Sequence, residues 1–111
     1  MKKKLFQNYN FEFDKNEGKI LVSFAKQAVK QMETNDNLIK EVRIFNSIVS
    51  KLASSPLKVK FTKEEKTKLL FQLNENVKHL QNKVDKSWFI TRWFYKNMLN
   101  QYQSLVFKLN N

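Results

Sequence analysis

A twenty-residue pattern in this chain is echoed once, further along. Residues 13–32 read FDKNEGKILVSFAKQAVKQM and residues 61–80 read FTKEEKTKLLFQLNENVKHL. The offset is 61 − 13 = 48, and 6 of the 20 positions coincide. Each copy begins in an alternating extended triplet, Phe11-Glu12-Phe13 and Val59-Lys60-Phe61. The echo limits the fold to one built as strand, helix, helix, twice over. The expected halves are 11–52 and 59–109, within a single domain covering residues 1–111.

Local signals place four helices. Asp14 with Glu17, and Thr62 with Glu65, match the capping box, in which a cap oxygen and a Glu three residues on satisfy open backbone N–H groups. The spacing predicts a first helix over 15–33, burying Ile20, Leu21, Phe24, Ala25, Ala28, Val29 and Met32. After the turn at 34–37 a second helix over 38–52 carries Ile39, Val42, Phe45, Ile48, Val49 and Leu52 at helical spacing. Residues 53–56 break it. A third helix over 63–84 turns Leu69, Leu70, Leu73, Val77, Leu80 and Val84 inward. Asp85-Lys86-Ser87 reads as a turn, with Ser87 capping a fourth helix over 88–108. The sole Gly and sole Pro leave little room for long loops.

The two extended triplets alternate alike, so Phe11 and Phe13 face inward with Val59 and Phe61. Phe11–Phe13 is expected to pair antiparallel with Val59–Phe61. A ribbon this small is marginal alone and must lean on the helices. The fold class is therefore all-α: a helical bundle of two similar hairpins, an internal repeat, tied by a minor two-stranded antiparallel ribbon.

The spacing Phe13…Glu17 and Phe61…Glu65 resembles the strand-to-helix step of paired EF-hands. Counting back from Glu65, however, puts Ser54 first in the loop and Val59 where the sharp turn needs Gly. The carboxylate ladder that holds calcium is missing. Both glutamates read as helix caps.

Chemistry is sparse. Cys is absent and His79 is the only His, so neither a thiolate nor a multi-ligand zinc site is expected. Gly18 is the only Gly, so there is no phosphate-cradling loop. No catalytic residue, cofactor, metal or small-molecule substrate is expected, and the chain reads as a non-enzyme. The basic start has no apolar region behind it to form a signal peptide, and no apolar run spans a membrane. A cytoplasmic location is the expectation.

Charge carries the functional reading. The formal net charge is +11 over 111 residues, with 21 basic residues, of which only Arg43 and Arg92 are Arg. An A/T-rich coding sequence would also enrich Lys and Asn. Yet Lys15, Lys19, Lys26 and Lys30 fall within a roughly 60° arc of the first helix. They span about 22 Å and could follow a phosphate backbone. The fourth helix is apolar on two sides. Its main face gathers Trp88, Phe94, Tyr95, Met98, Leu99, Tyr102, Leu105 and Val106. Phe89 and Trp93 lie on the far side near Ile90, flanked by Arg92 and Lys96. Such a helix is buried on both sides or carries a binding surface. The leading expectation is a basic protein contacting nucleic acid or another anionic polymer through Lys15, Lys19, Lys26, Lys30, Arg92 and Lys96. The alternative is a protein–protein interaction or regulatory module, including a homodimer, that uses Phe89 and Trp93.

Overall fold

The structure, a computed structural model, describes residues 9–55, 57–86 and 88–110, without the side chains of Phe89 and Ile90. The elements are β1 (Tyr9–Phe11), α1 (Lys15–Met32), α2 (Ile39–Ser54), β2 (Val59–Phe61), α3 (Lys63–Lys86) and α4 (Phe89–Asn110). A short 3-10 turn, Asp36–Leu38, leads into α2. The fold is thus all-α with four helices and a minor two-stranded antiparallel ribbon, β1 against β2. Two compact units are present, and their boundary falls inside α3, between Leu69 and Leu70.

In the first unit both capping boxes form. Asp14 accepts from the Glu17 N–H at 2.7 Å, and Glu17 accepts from the Asp14 N–H at 2.9 Å. Thr62 and Glu65 repeat the exchange at the start of α3, at 3.1 and 2.8 Å. These bonds satisfy donors that a helix start leaves open. Between α1 and α2, Asn35 accepts from the Asn37 N–H at 2.9 Å and so starts the 3-10 turn. α1 packs on α2. Leu21, Ala25, Ala28, Val29 and Met32 are buried on α1, and Phe45, Ile48 and Leu52 on α2. Ile20 and Phe24 are half-buried. Ile39, expected inside, is 54% exposed. It is the first residue of α2, directly after the 3-10 turn.

The ribbon differs from expectation in register. Tyr9 pairs with Phe61, Asn10 with Lys60 and Phe11 with Val59. The first strand therefore sits two residues earlier than Phe11–Phe13. A shift of two preserves the side on which each residue lies, and Phe11, Phe13, Val59 and Phe61 are all buried. Phe13 leaves the ladder and stacks on Phe11 with ring centroids 5.9 Å apart. Phe11 also meets Phe61 at 5.9 Å.

In the second unit the later turns of α3 meet α4. Leu80, Val84 and Leu99 form the core there, with Val77, Tyr95, Met98 and Tyr102 packed against it. Leu73, Leu105 and Leu109 are buried too. The expected turn at Asp85-Lys86 is instead the last of α3. Gln81 donates to Asp85 at 3.1 Å across one helical turn. Lys83 and Lys86 lie in the final turn, where the helix dipole favours cations. The proposed cap Ser87 lies outside the described residues.

Two aromatic residues assigned to the inner face of α4 are outside. Trp88 is 82% exposed and Phe94 is 55% exposed. Trp88 precedes the first residue of α4, so the helical wheel does not govern its direction. Its carbonyl serves the helix start, accepting from the Arg92 N–H at 2.6 Å and the Thr91 hydroxyl at 3.2 Å. Phe94 sits at the margin of the apolar stripe and meets the Tyr95 ring edge-on at 5.5 Å.

Candidate functional site

Lys15, Lys19, Lys26 and Lys30 are all exposed on α1, and none makes an ion pair among the described residues. Their isolation has a cause elsewhere in the unit. Three of the ion pairs join α2 to α3: Lys40–Glu64 at 3.4 Å, Lys51–Glu65 at 2.6 Å and Lys68–Glu41 at 3.1 Å. A fourth, Lys78–Glu75 at 3.4 Å, lies within α3. On α1 itself Asp14 and Glu17 are committed to the helix start. The outer side of α1 is therefore left with cations, and Glu33 ends it.

That side is shaped as well as charged. Lys15, Gly18, Lys19, Val22 and Ser23 line a hollow of ≈ 430 Å³, closed by Leu52 and Ala53 of α2. Gly18 is buried there, and the missing side chain leaves depth beneath the two lysines. Ser23, Lys26, Gln27, Val29, Lys30 and Glu33 line a second hollow of ≈ 460 Å³. Ser23 belongs to both, so the four lysines stand along one continuous shallow shelf.

Among the described residues Glu65 is the buried charged one, 6% exposed. Sequence reading finds its capping role and misses the rest. Besides the Thr62 N–H it accepts from the Lys51 ammonium at 2.6 Å and the Ser47 hydroxyl at 2.5 Å. Burial alone would push its carboxyl up. The hydrogen bonds from Lys51, Ser47 and Thr62 outweigh burial and hold it below the ordinary value of 4.5. Glu41 is lowered too, chiefly by its hydrogen bond from Lys68. Both oxygens of the Glu65 carboxylate accept hydrogen bonds, Oε1 from Lys51 and Thr62 and Oε2 from Ser47, which suits a structural fastener rather than a proton-transfer group.

The second unit holds the remaining candidates. Arg92 is exposed, but its Nε donates to the Val84 carbonyl at 3.2 Å, tying the start of α4 to the end of α3. Lys96 is exposed. Trp93 is 71% exposed, so it fills no gap in the core. Phe89 opens α4, and its side chain lies outside the described residues. Phe107 is also 71% exposed, and Phe71 on α3 is 58% exposed. α4 contains no Asp or Glu. Lys83 stands 5.6 Å over the Tyr95 ring, beside a hollow that also takes His79, Asn82 and Lys86. Tyr102 is pushed above its ordinary value of 10.0 by burial.

Among the described residues no group of three His, Asp or Glu side chains stands together to hold a metal. No helix among them is long and apolar enough to cross a membrane. No family model, curated protein or solved structure matches this chain.

Proposed function

We propose that this is a non-catalytic binding protein whose partner is a polyanion, nucleic acid foremost, held along the α1 shelf. The observation that carries this reading is the row of Lys15, Lys19, Lys26 and Lys30, exposed and without ion pairs among the described residues. With 21 basic residues against 10 acidic ones, many cations of this chain have no carboxylate to pair with, and four of them are gathered on one arc of α1. Here Glu41, Glu64 and Glu65 hold α2 to α3 and Asp14 and Glu17 cap α1, while Glu33 stands at the far end of the row beside Lys30. Phosphates following the helix for about 22 Å would supply the missing countercharge. Lysine attracts phosphate as a point charge and lacks the planar fork that reads bases, so attachment here is expected to be insensitive to base sequence.

The test is the salt dependence of binding to a short duplex. Each phosphate neutralised releases counterions, so affinity falls linearly on a log–log plot with a slope near −0.9 per contact. Replacing all four lysines with Gln should flatten the slope by about 3 to 4 units and leave the helical signal unchanged. Absence of any binding at ~50 mM salt removes the proposal.

A second reading, a protein-interaction module, draws on Trp93 alone. Trp is enriched among residues that dominate interface energy, and an indole 71% exposed is available to a partner. Loss of a dimer or a complex on Trp93→Ala, with duplex binding absent in the parent, would favour it.

A further inference from the structure

We infer that the outer face of α4 is a stacking platform for unpaired bases, so that the polyanion this protein prefers is single-stranded. The inference rests on the polyanion reading and names the form of the partner. Trp93 and Phe107 are each 71% exposed. They are 14 residues apart, which places them within about 40° on the helix and about 21 Å apart along it. Between them on the same side stand Lys96, Asn97, Asn100 and Ser104, all exposed. This is a sequence of aromatic plane, cation, amides, hydroxyl and aromatic plane. Rings offer stacking area, amides offer donors and acceptors to base edges, and Lys96 meets phosphate.

The charge on α4 selects the sign of the occupant. The helix carries Arg92, Lys96 and Lys108 and no carboxylate. A second copy docked through the same face would set these cations against their equivalents, which disfavours a homodimer there. An acidic helix from another protein would need apolar anchors at i, i+3, i+4 and i+7. On this face the described positions between the two aromatics are polar, so no such seam runs from Trp93 to Phe107. A membrane surface also calls for a continuous apolar stripe. Separate aromatic planes with hydrogen-bonding groups between them match a strand whose bases are splayed and whose phosphates are negative. A duplex keeps its bases stacked internally and cannot use Trp93 in this way.

The test compares an oligothymidylate of about 15 nucleotides with a duplex of equal length at ~50 mM salt. The chain has two Trp residues, so Trp88→Phe leaves Trp93 as the only indole. Oligothymidylate should quench its emission, and duplex should not. Trp93→Ala should weaken oligothymidylate binding by roughly 10-fold and leave duplex affinity unchanged. Trp93 is exposed, so this variant should keep the parent's helical signal. If Trp93→Ala binds oligothymidylate as the parent does, the stacking inference fails while the polyanion reading stands. If poly-glutamate binds as well as oligothymidylate and with the same dependence on Trp93, the face belongs to acidic protein and the inference fails. If neither nucleic acid binds, the polyanion reading falls and the inference with it.

Discussion

Glu65→Gln removes one negative charge from the point where three separate parts of the first unit meet. The side chain keeps its length and one carbonyl oxygen, but it places an amide NH₂ where a second acceptor stood. Three donors face the carboxylate: the Lys51 ammonium at 2.6 Å, the Ser47 hydroxyl at 2.5 Å and the Thr62 N–H at 2.8 Å. Hydrogen bonds to a charged group contribute about 1.5–3 kcal/mol. Lys51 is 37% exposed, so water screens part of its share. The expected loss is about 2 kcal/mol, or about 8 °C in Tm for a chain of this size. The acid limb of the stability curve gives an independent check. The folded carboxyl titrates below the unfolded value of 4.5, so its stabilisation is fully present above that value. It is lost as pH falls through the lower folded value. Circular dichroism melts of parent and variant from neutral pH downward would measure both effects. The variant should melt lower at neutral pH, and the gap should close in acid. Glu41 is also lowered, and its acid slope is shared by both proteins. A variant melting within about 2 °C of the parent, with an unchanged acid limb, would show that the carboxylate holds nothing together.

Two further outcomes follow from the first unit. Phe45→Ala empties a fully buried site on α2 and should cost about 3–5 kcal/mol in a urea titration; a loss under about 1 kcal/mol would mean Phe45 is not in a packed core. Asp14→Ala deletes one acceptor of the α1 capping box and should cost about 1 kcal/mol, while Asp14→Asn should recover most of it; equal stability of all three would dismiss the cap.

The elements most legible in the sequence were those settled by neighbours in the chain. Asp14 and Glu17, like Thr62 and Glu65, lie three residues apart and need only a helix start to meet. The buried stripes of α1 and α2 likewise follow from helical period. The ribbon register was not legible, because a shift of two residues leaves Phe11 and Phe13 on the same side. Stacking of Phe13 on Phe11 accompanies its departure from the ladder, and the sequence holds no sign of it. The wider role of Glu65 was hidden for a different reason. Ser47 and Lys51 stand 18 and 14 residues away, and only the packing of α2 on β2 and α3 brings them in. Trp88 was misplaced by extending a helical wheel one residue past the helix. The lysine arc on α1 was visible from spacing. That these lysines make no ion pair among the described residues was not, because it depends on where the carboxylates of other helices go.

The six-residue ribbon has a kinetic consequence out of proportion to its size. Its strands start at Tyr9 and end at Phe61, so it joins residues 61 − 9 = 52 positions apart. Closing a loop of that length in an unfolded chain costs about 3.5 kcal/mol beyond a constant, by the (3/2)RT ln n rule. Three pairs of residues cannot offset that by themselves. The expectation is that the α1–α2 hairpin, whose contacts are nearer in sequence, forms first and brings the two ends together. The ribbon is then a latch that closes late. Weakening it should quicken unfolding and leave the folding rate almost unchanged, which a pair of stopped-flow measurements on Val59→Ala would read directly.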